Sequence, residues 1–430
     1  MTLSWSFLRR NKILVLILII SLLAGLIVIT YTGLTALNFG DAIDYLKAAE
    51  AIQNKLPYPR ESRQEFFRAP GYPFVITAIW EITGISGVPI LKIFNVLFHV
   101  GSTYLVIKIS KTELSQKVSL FCAFLYALNP FSLYQLSGIA TEPLITLVFL
   151  AFFYLITRKP TSLNIFLLTI TSISCVAIRP EYIFPIVLLI LAKILWNWRR
   201  RESVVQCLVV LISLTLALSL WGYSNKKATG DFILLTDATN WQLWFGSTDV
   251  MFRNYPFSTP KNTDFNFEQL NSLRSQMQVF KSRWGDKYAL GSPNEKSDFW
   301  GVAFTERVHS IGIVNYAKAI FIKGVIFWRP FLSPASYGEK LFILSLFVFL
   351  PLTIFTAMGI IFYWRRNKFK PSILIFCVTL SMLTIVHAFQ MPDLRFRIPV
   401  FMPFASIMAG AFTWEWIDHK LNRSRKNSVQ

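Results

Sequence analysis

The run Ile13–Leu37 reads ILVLILIISLLAGLIVITYTGLTAL, and no charged residue interrupts it. A bilayer core takes about 20 apolar residues per helix, so this run is long enough to cross one. It is too long for a signal-peptide core and has no convincing small-residue cleavage site, so it reads as a retained anchor. Val118–Thr141 and Leu341–Trp364 are further uncharged runs of spanning length. The composition agrees. The chain is 54% apolar, above the roughly 45–50% of soluble domains.

Working outward from these runs, spanning helices are expected near 13–36, 88–108, 118–136, 142–157, 162–178, 182–198, 204–223, 341–363, 371–389 and 397–417. The expected fold class is therefore an all-α polytopic membrane protein with about ten transmembrane helices and both termini inside. The net charge of +20 raises the question of nucleic acid. Its distribution answers it, because the bases sit in short patches beside apolar runs, as orientation signals do. Arg9 and Arg10, Lys108 and Lys111, Arg158 and Lys159, Arg199–Arg201, Arg365–Lys370 and the tail from Lys420 all fall on one side, assigned as cytoplasmic. Of 23 acidic residues, Glu113, Glu202, Glu415 and Asp418 belong to that side. The remainder lie outside, and acidic residues do little to set orientation, so their bias needs another cause.

Three parts are expected: 1–223, a transmembrane catalytic module with a first outer loop 38–87; 224–340, an extracytoplasmic loop region; and 341–430, the last spans and a basic tail. Residues 71–83 are too short to span, and 316–333 are amphipathic; both read as outer interfacial helices. Cys122, Cys175, Cys207 and Cys377 lie in apolar runs and read as packing residues. No internal repeat, Walker-type loop or GxGxxG is visible.

The first outer loop carries the most chemistry. It reads Asn38-Phe39-Gly40-Asp41-Ala42-Ile43-Asp44-Tyr45 and later Phe67-Arg68-Ala69-Pro70-Gly71-Tyr72-Pro73. Asp41, at the start of a helix, is either an N-cap or a general base held at the membrane surface. Asp44, three residues on, shares its helical face as a secondary carboxylate. Glu142 stands at the outer mouth of a short helix, where a carboxylate needs a partner or a role. It either serves the site or stabilises the helix N-terminus with Thr141 as cap. Glu181 reads as a structural partner of Arg179. No cofactor is certain; a divalent metal is an open option through His309 or His387, although no ligand-spacing motif supports it. The aromatics of 241–257 and 328–337 either stack on sugars or anchor the interface.

Gly-Asp-Ala-x-x-Tyr followed by Arg-x-Pro-Gly-Tyr-Pro resembles the first outer loop of the GT-C glycosyltransferases, the superfamily of the protein O-mannosyltransferases and aminoarabinose transferases. Four segments extend the resemblance in order. They are Ser137-Gly-Ile-Ala-Thr-Glu-Pro-Leu144, Ala177-Ile-Arg-Pro-Glu181, Asn240-Trp-Gln-Leu-Trp-Phe-Gly246 and Arg395-Phe-Arg-Ile-Pro399. The resemblance implies a polyprenyl-phosphate sugar donor, inverting transfer to an acceptor hydroxyl outside the cytoplasm, and Asp41 as base. The acceptor, a glycan, lipid or protein, stays open. Ala42 stands where many relatives carry a second acid, which weakens any carry-over of metal binding.

The chemistry agrees with that implication. An acceptor hydroxyl needs a base within hydrogen-bond reach, and a departing lipid phosphate suits arginine forks. Arg68, Arg179, Arg395 and Arg397 are the candidates, with Tyr72 beside them. Two other readings compete. A flippase or transporter of lipid-linked glycans predicts ionisable groups at mid-membrane; Lys92 and Lys193 instead lie near helix ends. An O-antigen ligase or polymerase-like enzyme shares the large outer loop but not the order of the first-loop motifs.

Overall fold

The computed structural model describes residues 12–38, 41–59, 68–248, 265–331, 334–365, 371–390, 392 and 394–427. Several expectations lie outside these residues: Arg9, Arg10, Arg366, Lys368 and Lys370 of the basic clusters, Phe39, Gly40 and Phe67 of the first loop, 249–257 of the aromatic segment, and 332–333. The described residues are helical, with no strand among them.

The chain begins with α1 (Lys12–Tyr31), followed by α2 (Ala42–Gln53) and α3 (Gly71–Thr83). Next come α4 (Val88–Ser110), α5 (Gln116–Ala127), α6 (Pro130–Tyr134), α7 (Glu142–Ile156), α8 (Ser162–Ile178), α9 (Ile183–Trp196) and α10 (Arg201–Thr229). Then follow α11 (Ala238–Gly246), α12 (Phe265–Trp284), α13 (Asp286–Leu290), α14 (Pro293–Ile311) and α15 (Ile313–Phe327). The chain closes with α16 (Pro334–Arg365), α17 (Pro371–Phe389) and α18 (Ile398–Asn427).

Among the described residues, five helices are long and apolar enough to cross a membrane, or six if the pair α14 and α15, bent by 104°, is one span. α7, α8 and most of α17 are shorter apolar helices. Leu and Ile side chains on the outer faces of α1, α10 and α16 are exposed, as a lipid-facing surface requires. The protein is a multi-pass membrane protein. The last apolar helix, Ile398–Ile417, has 67% of its apolar window buried against 28% for Lys12–Tyr31. It packs on α5, α7 and α16 and forms the centre of the bundle.

The expected span 118–136 is corrected. α5 stops at Ala127, because Asn129 caps the next turn by accepting from the backbone N–H groups of Phe131 and Ser132. Pro130 then occupies the first helical position, and a residue preceding proline is driven out of the α region. All four cysteines are free thiols.

Helices α11 to α14 build a second, smaller core from Trp241, Trp244, Phe280, Tyr288 and Trp300. Trp241 and Trp244 are buried there, so they are core residues and not exposed sugar platforms. Lys323 of α15 anchors this layer to the bundle. Its ammonium donates to the carbonyls of Gly246 (3.0 Å), Gln390 (2.9 Å) and Phe389 (3.2 Å). Those oxygens lie at the ends of α11 and α17, which have no partner within their own helices. A Cβ on Gly246 would collide with the carbonyl oxygen of Gln390, so the glycine of the Asn240–Gly246 segment permits this junction.

Candidate active site

Four of the motif segments converge at one end of the bundle: the first loop, the stretch before α7, the turn after α8 and the turn before α18. Asn38 donates to the Ser137 carbonyl (2.9 Å) and Asn95 of α4 to that of Gly138 (2.9 Å), joining the first loop to the segment before α7. Gly71 starts α3 against the end of α8. A Cβ there would sit 2.5–2.7 Å from backbone atoms of Ala177 and Ile178. That contact brings the Arg68–Tyr72 motif beside Arg179. α2 lies on α3 through small buried residues, Ala48, Ala49 and Ala51, and Thr77 donates to the Ala49 carbonyl (3.0 Å).

Asp41 occupies the N-cap position of α2 but makes no side-chain cap bond. Its two oxygens accept from two arginines instead: Oδ1 from Arg68 Nη2 (2.8 Å) and Oδ2 from Arg395 Nη2 (3.1 Å). Arg68 also reaches Asp44 Oδ2 (3.2 Å). A second cluster adjoins the first. Arg179 donates through Nη2 to Glu142 Oε1 (2.5 Å), through Nε to Thr141 Oγ1 (2.7 Å) and through Nη1 to Glu181 Oε1 (3.0 Å). Thr141 therefore serves Arg179 and does not cap α7.

Tyr45 stands between the clusters, edge-on to Tyr72 (5.0 Å) and under the Arg68 guanidinium (5.5 Å). Burial pushes its phenol up to about 12, with Arg68 and Arg179 pulling the other way. Burial raises the Tyr72 phenol further, against a backbone hydrogen bond at Ala140. The first-loop motif contains Tyr45, and its sequence alone assigns that residue no role. Its signal was spacing, since positions 41, 44 and 45 share one helical face.

The arginines of the last motif part company. Arg395 faces Asp41, and its guanidinium lies over Phe396 (4.9 Å). Phe396 stacks on His387 (4.4 Å, 5°) and also carries Arg179 (5.1 Å). Arg397 is 1% exposed. It donates to the carbonyls of Phe327 (2.6 Å) and Arg329 (2.5 Å) and closes the end of α15. The expectation that Arg397 contacts lipid phosphate is corrected on that ground: a guanidinium committed to buried carbonyls anchors the loop that presents Arg395.

The two clusters differ in access. The side chains of Arg395 and Asp41 are 26% and 16% exposed. Glu142 is sealed at 2%. Asp41 and Arg395 are therefore open to a ligand, while Glu142 is covered and paired with Arg179. A divalent ion fits this donor set poorly. Arginines occupy both Asp41 oxygens and one of Glu142, His387 is stacked on Phe396, and the described residues hold no group of three metal-ligating side chains.

Burial opposes ionisation of Asp41, but Arg395 and Arg68 outweigh it and hold the carboxyl below its ordinary 3.8. A depressed folded value contributes stability above the unfolded value, which is lost as pH falls through the folded one. Asp41 should therefore leave activity and melting flat between pH 7 and 5. Arg395→Gln should move the acid limb of activity to higher pH, as pH–rate profiles of the two proteins would show; superimposable limbs would contradict the pairing.

No family model matches the sequence, and no curated protein matches it. Among solved structures, the chain is similar to the archaeal oligosaccharyltransferase AglB of Archaeoglobus fulgidus in complex with an inhibitory peptide and a dolichol-phosphate. Identity is 13% and the TM-score 0.52, over 99% of this chain and 52% of that one. The apo form of the Archaeoglobus fulgidus oligosaccharyltransferase aligns with 12% identity and a TM-score of 0.54, over 97% and 52%. Its complex with Zn and sulfate gives 13% and 0.51, over 96% and 51%. The chain spans about half the length of these neighbours. The likeness shows the fold alone, one similar to that of these oligosaccharyltransferases.

Proposed function

We propose that this protein is an inverting glycosyltransferase that moves a sugar from a polyprenyl-phosphate donor to an acceptor hydroxyl on the extracytoplasmic face. One observation carries the reading: Asp41 lies at an accessible edge between Arg68 and Arg395. The neighbour in complex with a dolichol-phosphate supports a polyprenyl-phosphate ligand in this fold.

In the proposed step the acceptor O–H gives its proton to the Asp41 carboxylate as its oxygen bonds to the anomeric carbon. The bond from that carbon to the phosphate oxygen breaks on the opposite face, and polyprenyl phosphate leaves with the electron pair. A guanidinium has five donors in a fork, so Arg395 and Arg68 can hold Asp41 and meet a phosphate oxygen together. Preorganised positive charge stabilises the leaving group as its charge grows. Arg179, Glu142 and Tyr45 position these groups from behind. About ten crossings, with the broken stretch α5–α6 counted as one, and the site outside, in the cell's plasma (inner) membrane, form part of the same proposal.

The transporter alternative finds less support. Lys92 donates to the Gly33 carbonyl (2.6 Å) just past α1, and Lys193 to the Ile156 carbonyl (2.7 Å) at the end of α7. Both serve helix ends.

The test uses membranes containing the protein and a panel of radiolabelled polyprenyl-phosphate monosaccharides, with the matching nucleotide sugars as controls. Transfer should require the lipid-linked donor and release polyprenyl phosphate. Equal transfer from the nucleotide sugar would overturn the donor assignment.

A further inference from the structure

α7 starts at Glu142 in the site and ends at Ile156, about 22 Å away at 1.5 Å per residue. At that far end a cavity of about 1170 Å³ opens among α4, α7, α9, α10 and α17. Its walls are apolar, with Phe153, Leu189 and Ile375 among them. Five basic residues line it (Arg158, Lys159, Lys193, Arg200 and Arg201) against two carboxylates, Glu113 and Glu202.

The site is built to accept an anion. A helix C-terminus is negative and would repel one, but here it is neutralised. Lys193 donates to the Ile156 carbonyl (2.7 Å) and to Gln206 (2.7 Å), and Asn164 donates to the Leu155 carbonyl (3.1 Å). Arg158 is held over the Tyr154 ring (4.2 Å). Beside the mouth, Trp196 and Trp198 are 77% and 66% exposed, as aromatic anchors at a membrane–water boundary are.

We infer that this cavity binds the headgroup and upper acyl chains of one anionic glycerophospholipid from the leaflet at that end. The apolar walls take the chains and the basic rim takes the phosphate. A modest positive excess suits one phosphodiester and not a polyanion. The site is separate from the proposed transfer chemistry, and its test needs no transfer assay.

The experiment titrates the detergent-purified protein with phosphatidylglycerol or with phosphatidylcholine of the same chains, read by native mass spectrometry. Phosphatidylglycerol should be retained preferentially. Arg158→Gln with Arg200→Gln should weaken it about 30-fold, from two rim charges near a lipid surface. The pair Arg158→Lys with Arg200→Lys should retain it. Both arginines are exposed, so folding should persist, and Arg199→Gln, outside the cavity wall, should bind like the parent. Equal retention of phosphatidylcholine, unchanged binding in the glutamine pair, or displacement of phosphatidylglycerol by undecaprenyl phosphate would each overturn the assignment.

Discussion

Asp41→Asn should lower transfer about a thousandfold while the protein still folds. A positioned general base contributes roughly 10²–10⁴-fold, and asparagine keeps the shape of aspartate without its basicity. Folding should survive because Arg68 keeps Asp44 as a partner at 3.2 Å, and Arg395, at 26% exposure, retains access to water. Asp44→Asn should cost far less, about tenfold, because Asp44 reaches the site only by steadying Arg68. Initial rates with the lipid-linked donor, normalised to purified protein, decide the matter. Turnover of Asp41→Asn within tenfold of the parent would remove Asp41 from the role of base.

Arg179→Met should produce the largest loss of stability. Arg179 ties its own turn, where it bonds Glu181, to the segment before α7, where it bonds Thr141 and Glu142, and Glu142 is sealed from water. Removing one member of a buried ion pair strands its partner's charge and costs about 3–5 kcal/mol. Against a typical total of roughly 5–15 kcal/mol, that is a large fraction. The variant should melt several degrees lower in detergent, followed by tryptophan fluorescence, or fail to give a monodisperse peak. Arg179→Met with Glu142→Leu should recover much of the loss, because the double replacement leaves no stranded carboxylate at position 142. A double variant no better than the single would show that the pair's charge is not the cause.

Sequence spacing located most of these residues but not their partners. Asp41, Asp44 and Tyr45 follow one helical face, and that much is local. Arg395 and Arg397 are two residues apart in one motif and read alike from sequence. The single turn Leu394–Phe396 is a 3₁₀ helix, with about 120° per residue, so positions two apart point to different sides. One arginine reaches Asp41 and the other is spent on the carbonyls of Phe327, at the end of α15, and Arg329 just past it. In the same way, Trp241 and Trp244 read equally well as sugar platforms or interface anchors, because a short amphipathic segment does not reveal its cover. The second core supplied by α12 to α14 decided it.

The apolar run Ile13–Leu37 and its successors settle, by sequence alone, that this chain is a helical membrane protein. Backbone polar groups in lipid have to be satisfied within each segment, and apolar runs of spanning length do so as helices. The gathering of carboxylates in the polar segments between apolar runs is likewise plain from the linear order. Which carboxylate meets which arginine is a tertiary outcome. It depends on close approaches such as Gly71 against Ala177 and Ile178, and on charges that pair across 27 to 354 positions of chain. Electrostatic pairing acts over a few ångströms of space, whatever the distance along the sequence, so it is decided only once the helices have packed.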